Sequence, residues 1–296
     1  MTAVDPPLAS RSVTSAWKWL SVILIAIILL FGVYFAVVHI TSSPGLGVSV
    51  VRMDGVLVTG EESGDGYAAS EQVGRELREA ADDPMVEAIV IRVNSPGGTP
   101  AAAQEIIRDL EYAKTKKPVV VSMGDMATSA AYYVSAHASR IYADPDTFTA
   151  GVGVVWSFPD ISQWMEREGY NISVVKSGTR KDMGSTSRPI TTEERTYAQE
   201  IVDASFEEFI SDVLSQRQIN RSAIEDGRVI RGADAVKINV VDEIGNLNDA
   251  IAGAKSLTRT GQFLKKTALI SNHTDGIRFH ELPGNGCSIL PGRQCE

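Results

Sequence analysis

The residues of this chain best placed to do chemistry are a serine, a glycine pair and a few lysines. Ser129 follows a β-branched run, residues 118–121, that reads as a buried strand, and small residues then lead into a helix over 130–138. A serine at such a turn sits beside unpaired helix N–H groups, where developing negative charge is favoured. The same position suits a simple helix cap, and the local sequence is compatible with both roles. Gly97-Gly98 follows a second buried strand, residues 86–93. Glycines there let a backbone N–H approach a substrate closely, so the N–H groups of Gly98 and Ala130 are candidate donors to an oxyanion. The alternative for Gly97-Gly98 is an ordinary turn. A phosphate-binding loop is excluded, because no Gly-x-x-x-x-Gly-Lys pattern is present.

A serine hydroxyl needs a base at neutral pH. His137 lies eight residues beyond Ser129 on the same expected helix, about 12 Å along the axis and too far for a hydrogen bond. His39 falls in an apolar run, and His273 and His280 fall in a weakly patterned tail. A histidine triad is therefore hard to assemble. Lysine replaces histidine in several serine hydrolases, provided that it is neutral when it accepts the proton. Lys176 and Lys181, in the polar stretch 176–189, are the candidates. Either is otherwise a solvated surface charge.

The elements that must position these groups alternate. Strands are expected over 48–53, 56–58, 86–93, 118–121, 141–143 and 148–155, with extended chain over 172–176. Helices are expected over 70–82, 101–114, 130–138, 161–168 and 191–217, the last opened by Thr192. A closing helix and strand follow over 233–238 and 240–244. Strand–helix alternation predicts an α/β fold with a largely parallel sheet. At the carboxyl ends of its strands such a sheet forms sites, and both glycine turn and serine lie there.

The chain has 296 residues, 44% of them apolar, and a net charge of −9. The acidic balance argues against nucleic acid as a partner. Residues 20–40 form an apolar run long enough for a membrane helix. It exceeds an ordinary signal-peptide core, and Val38-His39-Ile40 is a poor cleavage site, so an uncleaved anchor is expected. Arg11 and Lys18 precede the run and no Lys or Arg occurs from 39 to 51. The N-terminus is thus expected in the cytoplasm and the catalytic domain outside the cell membrane. The expected organisation is a cytoplasmic segment 1–19, an anchor 20–40, a linker 41–47, a domain 48–254 and a tail 255–296. Cys287 and Cys295 lie in that tail, with no metal-site spacing.

Four ordered blocks carry a resemblance: NSPGG at 94–98, SMGDMATSAAYY at 122–133, VVKSGTRKDMG at 174–184 and GRVIRGADAVKINVVDEIG at 227–245. Together, over roughly residues 46–252, the chain resembles the signal peptide peptidase SppA family of membrane-bound Ser–Lys serine proteases. The resemblance implies a crotonase/ClpP-like fold, Ser129 as nucleophile, Lys181 as base, Lys176 as a scaffold residue and Gly98 as oxyanion donor. It also implies one N-terminal anchor, a homo-oligomer, short membrane-derived peptides such as signal-peptide remnants as substrates, and no metal or nucleotide cofactor. Two departures stand out. Ser129-Ala130-Ala131 replaces the usual Ser-Gly-Gly, and Gly151 stands where the family usually has a serine that orients the lysine. The rival readings are a membrane protease with a stomatin-like partner, a crotonase-type acyl-CoA enzyme, and an inactive scaffold on the same fold.

Overall fold

The computed structural model describes residues 13–41 and 47–258. The chain divides into two units that part between Gly47 and Val48. In the first, α1 (Val13–Thr41) is 29 residues of helix and contains the apolar run 20–40. Its side chains are described at 17 and over 19–34, where Leu24, Leu30 and Phe31 are exposed. Among the described residues, no helix is long and apolar enough to cross a membrane. The linker residues 42–46, His273, His280, Cys287 and Cys295 lie outside the described residues.

The second unit begins with β1 (Gly47–Asp54), β2 (Val56–Val58), β3 (Tyr67–Ala69), α2 (Ser70–Asp82), β4 (Val86–Ser95) and α3 (Pro100–Lys114). It continues through β5 (Val119–Thr128), α4 (Ala130–Ala136), β6 (Arg140–Ala143), β7 (Phe148–Ala150), α5 (Ser162–Arg167) and α6 (Thr192–Gln216). It closes with β8 (Val229–Arg231), α7 (Gly232–Ala235), β9 (Glu243–Ile244) and α8 (Leu247–Leu257). This is a mixed α/β architecture. One sheet runs in the order β1-β4-β5-β6-β9, with β7 attached to β5 and β8 to β7. The β4–β5, β5–β6, β5–β7 and β6–β9 pairs are parallel, and only β7–β8 is antiparallel among the pairs whose register is described.

Side-chain alternation explains why β4 is apolar on both faces. Ile89, Ile91 and Val93 join a core with Val73 and Leu77 of α2 and Ile106 and Leu110 of α3. Ala88 and Val90 point the other way, onto Ala250 and Ala254 of α8. Helix α2 places Val73, Leu77, Ala80 and Ala81 on its buried face, a helical period read directly from sequence. Helix α3 starts where Thr99 accepts the Ala102 N–H and Pro100 fills the first turn, a position that has no need of the missing donor.

Strand β5 is longer than residues 118–121. Its first part, Val120–Ser122, pairs with β6, while Met126–Thr128 pairs with β7. Small residues in 122–128 read as a turn because they lack strand propensity, but two neighbours supply ladder partners. Conversely, the strand expected over 148–155 stops at Ala150, because Ala150 and Gly151 both adopt φ of +62° and leave the extended region. Residues 172–176 carry no strand. Helix α6 opens at Thr192, as expected, and is capped by Thr191: the Thr191 hydroxyl accepts the Glu194 N–H, and the Glu194 carboxylate accepts the Thr191 N–H.

Candidate active site

Strand β5 ends at Thr128, and Ser129 turns the chain into α4 with φ 54° and ψ −126°. A non-glycine residue in this region is strained by about 1–3 kcal/mol, and such strain persists only where its surroundings enforce it. They do so here. The Ser129 N–H donates to Ala150 O at 2.8 Å, and the Tyr133 N–H donates to Ser129 O at 2.9 Å. The Thr128 hydroxyl donates to Pro96 O at 2.9 Å, and the Thr149 hydroxyl to Ala127 O at 3.0 Å. The Ser129 side chain makes no capping bond to α4. The helix-cap alternative therefore fails, and the hydroxyl is left available on a sharp strand-to-helix turn of the kind that presents a nucleophile.

The glycine turn packs directly against this serine. Gly97 has φ +106°, and a Cβ on it would lie 2.7 Å from Ser129 Cβ and 3.0 Å from Ala130 N. Leu57 of β2 donates its N–H to Gly97 O at 2.8 Å and accepts the Thr99 N–H at 2.9 Å. That parallel bridge leaves the intervening Gly98 N–H facing away from β2. A Cβ on Gly98 would meet Leu57 O at 2.0 Å. The first N–H groups of α4, Ala130 included, have no partner within the helix. Gly98, Ser129 and Ala130 line one cavity of about 110 Å³, so the hydroxyl and both candidate oxyanion donors are brought together.

Lys181 is not among the residues that line this cavity. It sits exposed on a turn in which its N–H donates to Gly178 O at 3.1 Å. Its side chain makes no hydrogen bond or ion pair among the described residues. Lys176 is engaged, donating to Thr179 O at 3.0 Å and pairing with Asp182. Arg188 fixes the segment to α6. Its guanidinium is bidentate to Asp182 at 2.9 and 2.8 Å and bidentate to Glu194 at 2.9 and 2.7 Å. Arg188, then the Thr191 N–H, holds the Glu194 carboxyl down at about 2. Arg188 and Lys176 likewise hold Asp182 well below the usual carboxylate range.

His137 is buried and serves elsewhere. Its Nδ1 lies 3.0 Å from Glu111 and its Nε2 3.2 Å from Asp212, so both ring nitrogens are occupied. Asp212 also accepts the Tyr133 hydroxyl at 2.8 Å. Gly151 lies against the Ser129 turn. A Cβ there would stand 3.4 Å from Ser129 N, and its φ of +62° suits glycine.

Sequence reasoning missed the opposite wall of the cavity. Tyr133 stands in a motif already singled out, but its role against α6 was not legible. Ser205, Glu208 and Phe209 come from α6, and 153–155 from the segment after β7. Their one available signal was the buried face of α6, where Phe209, Ile210 and Val213 fall together.

The sequence profile of peptidase family S49 matches residues 111–260, which include Ser129, Lys181 and the α6 wall. The chain is similar to Protease 4 of Haemophilus influenzae, 33% identical over 219 residues, covering 73% of this chain and 35% of that protein. It is 32% identical over 220 residues to Protease 4 of Salmonella typhi, covering 73% and 35%. It is 29% identical over 251 residues to the chloroplastic serine protease SPPA of Arabidopsis thaliana, covering 82% and 37%. The chain thus spans little more than a third of the length of each of these three relatives. With the profile match covering half of its residues, the chain belongs to peptidase family S49, the family of signal peptide peptidase SppA.

Proposed function

We propose that this protein is a membrane-anchored serine endopeptidase, built on a crotonase/ClpP-like domain, that cuts short membrane-derived peptides such as signal-peptide remnants. The observation that carries the reading is the strained Ser129 turn, with its uncapped hydroxyl in one cavity with Gly98 and Ala130. Neutral Lys181 takes the Ser129 proton while Oγ attacks a peptide carbonyl. The Gly98 and Ala130 N–H groups bind the resulting oxyanion. The ammonium then protonates the leaving amine, and water, deprotonated in turn by Lys181, cleaves the acyl-enzyme and restores the serine.

Lys181 is exposed and outside its own chain's cavity, so the dyad is completed between copies in a homo-oligomer. The segment carrying it supports this: Val155 is 86% exposed and Val175 is 99% exposed, and exposed apolar surface of this kind favours a protein contact. The apolar run over 20–40 supports anchoring. The flanking charge supports a cytoplasmic N-terminus and a catalytic domain outside the cell membrane.

Ser129→Ala and Lys181→Ala are each expected to abolish peptide cleavage. Co-assembly of the two inactive variants is expected to restore part of it, because some interfaces then pair an intact serine with an intact lysine. Cleavage by Lys181→Ala alone would remove the dyad. The inactive-scaffold reading draws support from Gly151, and it is answered by a fluorophosphonate probe: labelling of Ser129 excludes it.

A further inference from the structure

The cavity beside Ser129 is apolar along most of its wall but carries one charge. Tyr133 and Phe209, with ring centroids 4.6 Å apart, form an aromatic face, and Pro100 and Val154 add to it. Among the described residues of one copy, Glu208 is the only charged residue in the lining. The Glu208 carboxylate accepts one hydrogen bond, from Gln104 Nε2 at 3.0 Å, out of about four that a carboxylate can take. Among the described residues it forms no ion pair, whereas its neighbour Glu207 is paired with Arg221 at 2.6 Å. The Tyr133 hydroxyl cannot serve it, because that hydroxyl is already donated to Asp212. Burial first, then Asp212 and Glu208, also push the Tyr133 phenol up, which keeps it protonated.

We infer that Glu208 is a specificity-determining residue. The cavity takes a side chain with an apolar stem and a cationic head, lysine or arginine, on the substrate residue whose carbonyl Ser129 attacks. The inference rests on the reading of Ser129 as nucleophile. The methylenes of such a side chain lie along Tyr133 and Phe209 while its head reaches the free carboxylate oxygen. An acidic side chain would face Glu208 and be rejected by like charge.

The test uses peptides that differ only at the residue before the cut: lysine, its uncharged isostere norleucine, or glutamate. The wild-type protein is expected to favour lysine over norleucine in kcat/KM by about tenfold, the scale of one charge-assisted hydrogen bond, and to disfavour glutamate. Glu208→Gln brings the lysine-to-norleucine ratio toward unity, and Glu208→Asp retains part of it. An unchanged ratio in Glu208→Gln, or no lysine preference in the wild type, overturns the inference. Calorimetric binding of the same peptides to Ser129→Ala and to Ser129→Ala/Glu208→Gln gives a readout independent of cleavage. A lysine preference in binding that disappears with Glu208, together with a wild-type protein that cleaves none of the peptides, sinks the nucleophile reading and leaves the pocket assignment standing.

Discussion

At the residue scale, three backbone positions define the candidate site. Ser129 is held at a positive φ by Ala150 O, and Gly97 and Gly98 are pressed against Ser129 and Leu57. A Cβ at Gly98 would lie 2.0 Å from the Leu57 carbonyl oxygen, a backbone atom that cannot swing aside. Gly98→Ala is therefore expected to shift the β2 bridge, lower stability by about 1–3 kcal/mol and misplace the proposed oxyanion donor. Urea unfolding and the rate of Ser129 labelling by a fluorophosphonate check the two effects separately. Glycine pairs mark turns everywhere, so the sequence showed that this pair was a turn but not which atoms crowd it.

At the element scale, two polar clusters join secondary structures that the chain visits at different times. His137 ties α4 to Glu111 of α3 and Asp212 of α6. His137→Ala removes hydrogen bonds to both carboxylates and opens a buried space. It is expected to cost about 1–3 kcal/mol in urea unfolding. Arg188 clamps Asp182, next to Lys181, onto Glu194 in the first turn of α6. The Glu194 carboxyl is lowered from 4.5 to about 2 by Arg188 and then by the Thr191 N–H. A lowered folded-state value contributes stability that is present above about pH 4.5 and is lost as pH falls toward 2. Arg188→Met should therefore flatten the dependence of the urea midpoint on pH in that window. A variant with the wild-type acid slope would show that the clamp does not set Glu194. Neither cluster was legible beforehand, because His137 and Asp212 stand 75 residues apart and the Arg188 cluster is interspersed with ordinary surface charge.

At the scale of the whole molecule, the segment between β7 and α6 carries both exposed hydrophobic surface and Lys181. In the proposed oligomer this segment is buried against another copy. Val175→Glu puts a charge at a residue that is 99% exposed in the single chain, so it should leave the monomer's stability near wild type. It should also reduce the assembled mass in light scattering and lower peptidase activity with it. An unchanged mass would move the interface elsewhere. The helix-bearing first unit is a separate matter, and extraction of the full chain from membranes by detergent, but not by alkaline carbonate, is the expected behaviour of an anchor.

The sequence by itself determined the α/β class and the ends of the strongly patterned elements. Residues 70–82 have helical spacing and form α2 over that range, and the strand expected at 86–93 runs on only to Ser95. It also pointed to Ser129 and the glycine turn, since small residues after buried strands leave few alternatives. Helix α8 escaped notice because Ala250 and Ala254 give too faint an apolar period, although they fit closely over Val90 and Val120. Only the tertiary structure decided that Gly98 and Ser129 share one cavity with Gly97 packed against Ser129, that α6 supplies Glu208 and Phe209 to the cavity wall, and that Lys181 stays outside it. Periodicity is a property of neighbours along the chain. Packing distance depends on how whole elements meet, and no local pattern encodes it.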